Sequence, residues 1–178
     1  MTILSHYIHL IAQPARDELV TPAPPPCPAR LAASPFERPN QMTHAYTGGC
    51  ACGAIRYEIA SEPVFQNHCQ CRDCQRKSGT GHGSYLTFAR AGVKHSGNAT
   101  LWDMVGDSGN VKTRAFCPAC GSPVYMTFAA MPEIFTVHAA SLDDPGRYKP
   151  QVVTYAVRGY EWDFLDPGLQ KFEKMPPM

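Results

Sequence analysis

The cysteines carry the clearest chemical signature in this sequence. Seven of the eight lie in three tight groups: Cys50-x-Cys52, Cys69-x-Cys71-x-x-Cys74 and Cys117-x-x-Cys120. Bunching of this kind, with no secretion signal ahead of it, reads as metal or redox chemistry rather than as a disulfide framework. Neither Cys-x-x-Cys pair sits in a βαβ pattern, which argues against a thioredoxin-like site. Zinc is the default metal for clustered thiolates, being borderline-soft and content with tetrahedral sulfur. A structural zinc takes four protein ligands, whereas a catalytic one takes three and leaves a position for water or substrate. Seven cysteines divide naturally into four plus three. Cys69, Cys71 and Cys74 can converge on one ion from a single loop and helical turn. Cys50/Cys52 and Cys117/Cys120 would together clamp two turns that are distant in the chain. Spacing leaves two other partitions open: one four-cysteine site with three loose thiols, and a second closed site whose fourth ligand is His68 or His82.

An open three-thiolate zinc has a chemical consequence. Its net charge is −1 before any fourth ligand binds, which blunts its Lewis acidity relative to three-histidine sites that bring bound water toward a pKa of ~7. Such a centre suits a soft thiolate better than hydroxide, so a thiol or thiol adduct is the expected ligand. His82, in the glycine-rich Gly79-Thr80-Gly81-His82-Gly83, reads first as a satisfied structural histidine and second as a candidate proton shuttle at this site. The loop lacks the lysine and helix context of a phosphate-binding loop. His68 adjoins a ligand and could tune Cys69 from outside the coordination sphere. Arg72, Arg76 and Lys77 are either attractors of substrate carboxylates or ordinary solvated charges. Trp102, Tyr160 and Trp162 are expected to be packing residues.

The elements that must position these groups are mostly strands. Ala54–Ile59, Ser84–Phe88, Thr100–Val105, Val111–Phe116, Ile134–His138 and Val152–Val157 are short runs rich in β-branched and aromatic residues, bounded by Gly, Asn, Asp or Pro. One helical turn is expected, from Arg72 to Lys77. Residues 1–41 differ: they hold eight of the 17 prolines and no sustained hydrophobic period, so a flexible arm is expected there, followed by one domain over 42–178 with a C-terminal tail. Cys27, in that arm, has no partner by spacing. The 16 basic and 15 acidic residues give a formal charge of +1, without the basic stripe of a nucleic-acid binder. No apolar run approaches the length of a membrane span. The opening residues lack the positive n-region of a secretory signal, so a cytoplasmic protein is expected.

Three motifs resemble those of the glutathione-dependent formaldehyde-activating enzyme family, which includes centromere protein V-type zinc proteins. They are Gly48-Gly49-Cys50-Ala51-Cys52-Gly53-Ala54-Ile55-Arg56-Tyr57, then His68-Cys69-Gln70-Cys71-Arg72-Asp73-Cys74-Gln75-Arg76-Lys77-Ser78-Gly79, then Phe116-Cys117-Pro118-Ala119-Cys120-Gly121-Ser122-Pro123. A softer fourth match is Ala140-Ser141-Leu142-Asp143-Asp144-Pro145. The resemblance implies a β-tent fold, with short antiparallel sheets organised around a structural zinc, and two zinc ions per chain. It places the structural ion on Cys50, Cys52, Cys117 and Cys120, and the catalytic ion on Cys69, Cys71 and Cys74. The activity it implies is carbon–sulfur lyase chemistry that joins formaldehyde and glutathione into S-hydroxymethylglutathione, or reverses that step. Two rival readings use the same cysteines: a non-enzymatic zinc or interaction module, and a thiol-based zinc or redox sensor.

Overall fold

The computed structural model describes residues 45–176, and every count or absence given for the structure refers to these. The proline-rich segment 1–41, its Cys27 and the boundary at Met42 lie outside them. The strands are β1 (Tyr46–Gly49), β2 (Arg56–Ile59), β3 (Phe65–Cys69), β4 (Gly83–Ala89), β5 (Val93–Ser96), β6 (Thr100–Val105), β7 (Val111–Phe116), β8 (Pro123–Phe128), β9 (Met131–His138), β10 (Val152–Thr154) and β11 (Gln170–Lys171). One α-helix, α1, spans Arg72–Ser78. The chain is mostly β, with 42% of residues in strands and 14% in helices.

Two sheets are formed. A three-stranded antiparallel sheet has the order β1-β2-β5. An eight-stranded sheet runs β11-β10-β3-β4-β9-β8-β7-β6. The second sheet is longer than the short antiparallel units expected, and it is mixed, because β10 pairs in parallel with both β3 and β11. Side chains alternate across a strand, so the large sheet has two distinct faces. Leu86, Phe88, Ala115, Phe135 and Val137 occupy one face and pack, buried, with Tyr46, Tyr57 and Ile59 of the small sheet. The opposite face carries Tyr85, Thr136, Met126 and Arg114, and here Tyr85 and Met126 cluster with Cys69, Cys71 and Cys74.

The expected strands at Thr100–Val105 and Val111–Phe116 form with those bounds, and the helical turn extends one residue, to Ser78. Gly79, at φ 73°, ends α1 in the left-handed region that glycine enters without a Cβ penalty. The expected run Val152–Val157 stops at Thr154, because Tyr155 turns to φ 58° and a 3₁₀ turn follows over Ala156–Arg158. Strand β3 reads Phe-Gln-Asn-His-Cys and shows no apolar alternation. Its Gln66 and Asn67 are nonetheless buried, since Asn67 Nδ2 donates to Thr154 Oγ1 (3.0 Å) and Gln66 Oε1 accepts from the Lys149 amide (2.8 Å). Trp102, Tyr160 and Trp162, expected to pack inside, are exposed instead. Trp102 lies on an edge strand under the Arg114 guanidinium, and Tyr160 stacks on Trp162 with ring centroids 5.1 Å apart. No helix is long and apolar enough to cross a membrane.

Candidate metal centres

The first cluster joins two tight turns. Cys50 and Cys52 stand after β1, where the Gly53 amide donates to the Cys50 carbonyl and the Ile55 amide donates to Cys50 Sγ at 3.2 Å. Cys117 and Cys120 stand between β7 and β8, where the Gly121 amide donates to the Cys117 carbonyl at 2.9 Å. The Ala51 amide ties the turns together by donating to Ser122 Oγ. Cys50 Sγ lies 3.5 Å from Cys52 Sγ, which lies 3.7 Å from Cys117 Sγ, and all four sulfurs fall within 4.8 Å of one another. Tetrahedral coordination with metal–sulfur bonds of about 2.3 Å requires sulfur separations of roughly 3.8 Å, so the donor set fits a thiolate-bound ion. Hydrogen bonding to Ser122 pulls the Cys120 thiol down to about 6. The close approach of β1 to this turn is why Gly49 is glycine: a Cβ there would sit 2.0 Å from the Ile55 carbonyl oxygen.

The second cluster is local. Cys69 ends β3, Cys71 occupies the N-cap position of α1, and Cys74 is one turn in. Their sulfurs also lie within 4.8 Å of one another, and all three residues are buried. Gln75 fixes the loop, its Nε2 donating to the Gln70 carbonyl (2.9 Å) and the Arg158 carbonyl (2.8 Å). Hydrogen bonds from the Cys69 and Cys74 thiols hold the Cys71 thiol well below its ordinary range, and the same contacts push Cys69 up. One thiolate is thus already favoured among three groups packed closely enough to share a cation. No histidine or carboxylate joins this group, so the three cysteines gather without His68 or His82.

His68 and His82 meet elsewhere. His68 follows the opposite face of β3 from Cys69, its Nδ1 3.0 Å from Ser84 Oγ, and its ring stands edge-on to that of His82 with centroids 4.5 Å apart. Burial, then the neighbouring His82, lower His68 to about 4. His82 Nδ1 lies 2.8 Å from Asp163 Oδ1, an arrangement that fixes the imidazole orientation. The Asp163 side chain is only 7% exposed and also accepts from Gln70 Nε2 at 3.0 Å. A cavity of about 1200 Å³ opens between the first cluster and the glycine-rich loop, with Cys50, Cys52, Lys77, His82, Gly83 and His138 in its wall. None of Cys69, Cys71 and Cys74 lines this cavity, but Gly83, in its wall, pairs with Cys69 in the β3–β4 ladder. Tyr85 connects the two: its ring end presses on Gly83, where a Cβ would stand 2.3 Å from Oη, and burial, then the Cys74 charge, holds the phenol well above its usual range.

All seven clustered cysteines named by spacing are therefore brought together, four and three, with no disulfide among them. Asp163, Tyr85, Arg114 and His138 were not singled out from the sequence. None stands in a recognisable spacing; Asp163 lies in an irregular C-terminal segment, and the other three look like ordinary strand residues. Arg72 is engaged by Gln75 Oε1 at 3.1 Å. Lys77 is not a solvated charge, since its Nζ is buried.

The model of the family described as "Glutathione-dependent formaldehyde-activating enzyme" matches residues 45–158, well over half of the chain. The chain belongs to this family. Among curated relatives, it is 29% identical over 103 residues to a Halomonas elongata protein provisionally named a glutathione-dependent formaldehyde-activating enzyme. That match covers 54% of this chain and 64% of the relative, somewhat less than two thirds of its length. Among solved structures, the chain is similar to a Rhodobacter sphaeroides protein at 24% identity and a TM-score of 0.44, covering 55% of this chain and 87% of that one.

Proposed function

We propose that this family member is a zinc-dependent carbon–sulfur lyase acting on the adduct of a small thiol with an aldehyde, S-hydroxymethylglutathione being the leading case. The observation that carries the reading is the buried group Cys69, Cys71 and Cys74: three thiols with the spacing of a shared cation, joined by no fourth protein ligand, beside a cavity that holds a carboxylate-oriented histidine. On this reading Cys50, Cys52, Cys117 and Cys120 hold a structural zinc, and the three buried thiols hold a second. When bound there, the second ion would stabilise the sulfur of the substrate as a thiolate, which suits its electron-rich donor set. His82, which stands in the cavity wall and not among the thiols, would take the hydroxyl proton of an adduct that spans the two, as the carbon–sulfur bond breaks and the carbon–oxygen bond becomes a carbonyl. The bonding electrons leave on sulfur, and the same proton can then be returned to it. Asp163 orients the His82 ring for that transfer. In the synthetic direction each step runs backwards.

Formaldehyde and glutathione also condense without a catalyst, so the test measures acceleration at equilibrium. Exchange NMR on ¹³C-formaldehyde, glutathione and their adduct gives the interconversion rate directly. Faster exchange with zinc-loaded protein, returning to the uncatalysed rate in Cys71→Ser, is the expected result. An uncatalysed rate with fully metallated protein would overturn the enzymatic reading in favour of a binding or sensing module.

A further inference from the structure

The face of the large sheet that carries the three buried thiols also carries polar groups with nothing to bind. The row Thr87, Thr136, Met126, Arg114 and Trp102 runs across β4, β9, β8, β7 and β6, and Tyr85 pairs with His138 one step along. Arg114 is 5% exposed, yet its Nε and Nη2 have no hydrogen-bond partner. His138 is 7% exposed and its Nε2 is likewise unpartnered. Lys77 Nζ and Tyr85 Oη are two more buried atoms without a partner. Lys77 follows Cys74 by three residues, on the same side of α1, where such pairs stand about 5–6 Å apart. It borders both the large cavity and a second one, of about 400 Å³, whose wall includes Arg114 and Trp102.

Buried polar groups in folded proteins are nearly all satisfied, and a buried cation without a counter-charge is strongly unfavourable. Lys77 feels Arg114, Cys74 and Lys112, and His138 feels Lys77 and Arg114, with no carboxylate among them, although Asp73 stands with Arg114 and Lys77 in the wall of the smaller cavity. These atoms have almost no exposed surface, although Lys77 and His138 border the large cavity and Lys77 and Arg114 the smaller one. A carboxylate beside Lys77, the one of these residues that borders both cavities, would supply the acceptor this cluster lacks. We propose that Arg114, Lys77 and His138 form a carboxylate-binding subsite beside the Cys69/Cys71/Cys74 centre, which selects thiol substrates that carry a carboxylate. The inference rests on the thiol-adduct reading for the identity of the ligand, but the subsite itself stands on the orphaned donors. Arg114 supplies a planar two-nitrogen fork suited to a carboxylate, with its outer face covered by Trp102 at 5.8 Å. Lys77 adds a point charge, three residues along α1 from Cys74 and in the wall of the same cavity as Arg114.

The test uses the full-length, zinc-loaded protein and three probes: glutathione, glutathione dimethyl ester, and S-methylglutathione, which keeps both carboxylates but has no free thiol. Calorimetric titration should show the ester binding at least about tenfold more weakly than glutathione, the scale expected for losing charge-assisted hydrogen bonds. Arg114→Gln and Lys77→Met should each weaken glutathione by about tenfold while leaving the ester unchanged, so that esterification and substitution are not additive. S-methylglutathione should bind the native protein and lose that binding in Arg114→Gln. Equal binding of acid and ester by the native protein would overturn the proposal without any variant being needed. So would variants that lose metal, by elemental analysis, while keeping the acid-to-ester ratio, since the cations would then serve only to offset thiolate charge. The two readings separate in the cobalt-substituted protein. Thiol-sensitive absorption with an acid-to-ester ratio of one removes the subsite and keeps the thiol chemistry. Arg114-dependent binding of S-methylglutathione, with absorption indifferent to glutathione, keeps the subsite and removes the thiol chemistry.

Discussion

Replacing Cys117 by serine should unfold this domain, whereas replacing Cys71 should not. Cys117 is 1% exposed and packs with Ile55, Val124, Phe135 and Val137 in the core shared by the two sheets. Its sulfur is one of four that tie the turn after β1 to the turn between β7 and β8, 65 residues apart. A structural zinc contributes about 10 kcal/mol or more of folding free energy. Loss of one thiolate therefore removes roughly 3 kcal/mol if the ion stays on three ligands, and most of the total if it leaves. An unsatisfied hydroxyl in an apolar core adds about 1–3 kcal/mol. Against a total stability of about 5–15 kcal/mol, the domain is left marginal or unfolded. Cys71 is buried too, but its loop is held independently, by the β3 ladders to β4 and β10 and by Gln75. Its replacement costs only the local ion and the hydroxyl, about 2 kcal/mol, or a fall in Tm of roughly 10 °C or less. Calorimetric melting combined with metal analysis measures both effects. The expected pattern is a folded Cys71→Ser protein holding about one zinc and a Cys117→Ser protein without a cooperative transition. Equal collapse of both variants, or a Cys117→Ser protein that melts like the parent, would refute the division into a closed and an open site.

Three further outcomes follow from single contacts. Gly49→Ala should cost about 3 kcal/mol or more, because the new methyl group would overlap the Ile55 carbonyl oxygen, and chemical denaturation reads the loss. Asp163→Asn should slow aldehyde–thiol exchange about tenfold or more, with zinc content unchanged, because the His82 orientation is lost; an unchanged rate removes His82 from the mechanism. The third outcome is a pH dependence. Burial, then Lys77 and Arg114, lower His138 to about 3, so its folded-state pKa lies below its unfolded value of ~6.5. The unfolded chain then binds the extra proton, and stability falls as pH drops below ~6.5 toward the folded value. Between pH 6 and 5, His138→Gln should reduce that slope by about 1 kcal/mol per pH unit relative to the parent, as read by denaturant titration.

The sequence made the two cysteine clusters legible because thiolate chemistry imposes spacing. Cys-x-Cys and Cys-x-x-Cys place sulfurs on one turn whatever the fold, and the structure gathers all seven clustered cysteines as that spacing predicts. Strands such as β6 and β7 were equally plain, since Thr-Leu-Trp-Asp-Met-Val and Val-Lys-Thr-Arg-Ala-Phe carry β-branched and aromatic residues up to clear turn signals. Strand β3 was not legible, because its buried Gln66 and Asn67 are satisfied by residues more than 80 positions away. Trp102 illustrates the opposite failure. Aromatic character suggested a core residue, but position on the edge strand β6 leaves it exposed beneath Arg114. The Asp163–His82 pair and the cluster of Lys77, Arg114 and His138 depend on long-range register, which no local pattern in the chain encodes.

The central claim is that the three buried cysteines form an open centre whose further ligand is a thiol. Cobalt substitution tests it most directly, because tetrahedral thiolate cobalt absorbs strongly and responds to a new sulfur ligand. Titrating glutathione into the cobalt protein should shift or bleach the bands belonging to the Cys69/Cys71/Cys74 centre, with no response in Cys74→Ser. S-methylglutathione, lacking a free thiol, should perturb them far less. A spectrum that ignores every small thiol offered would contradict the account and leave this centre as a second structural site.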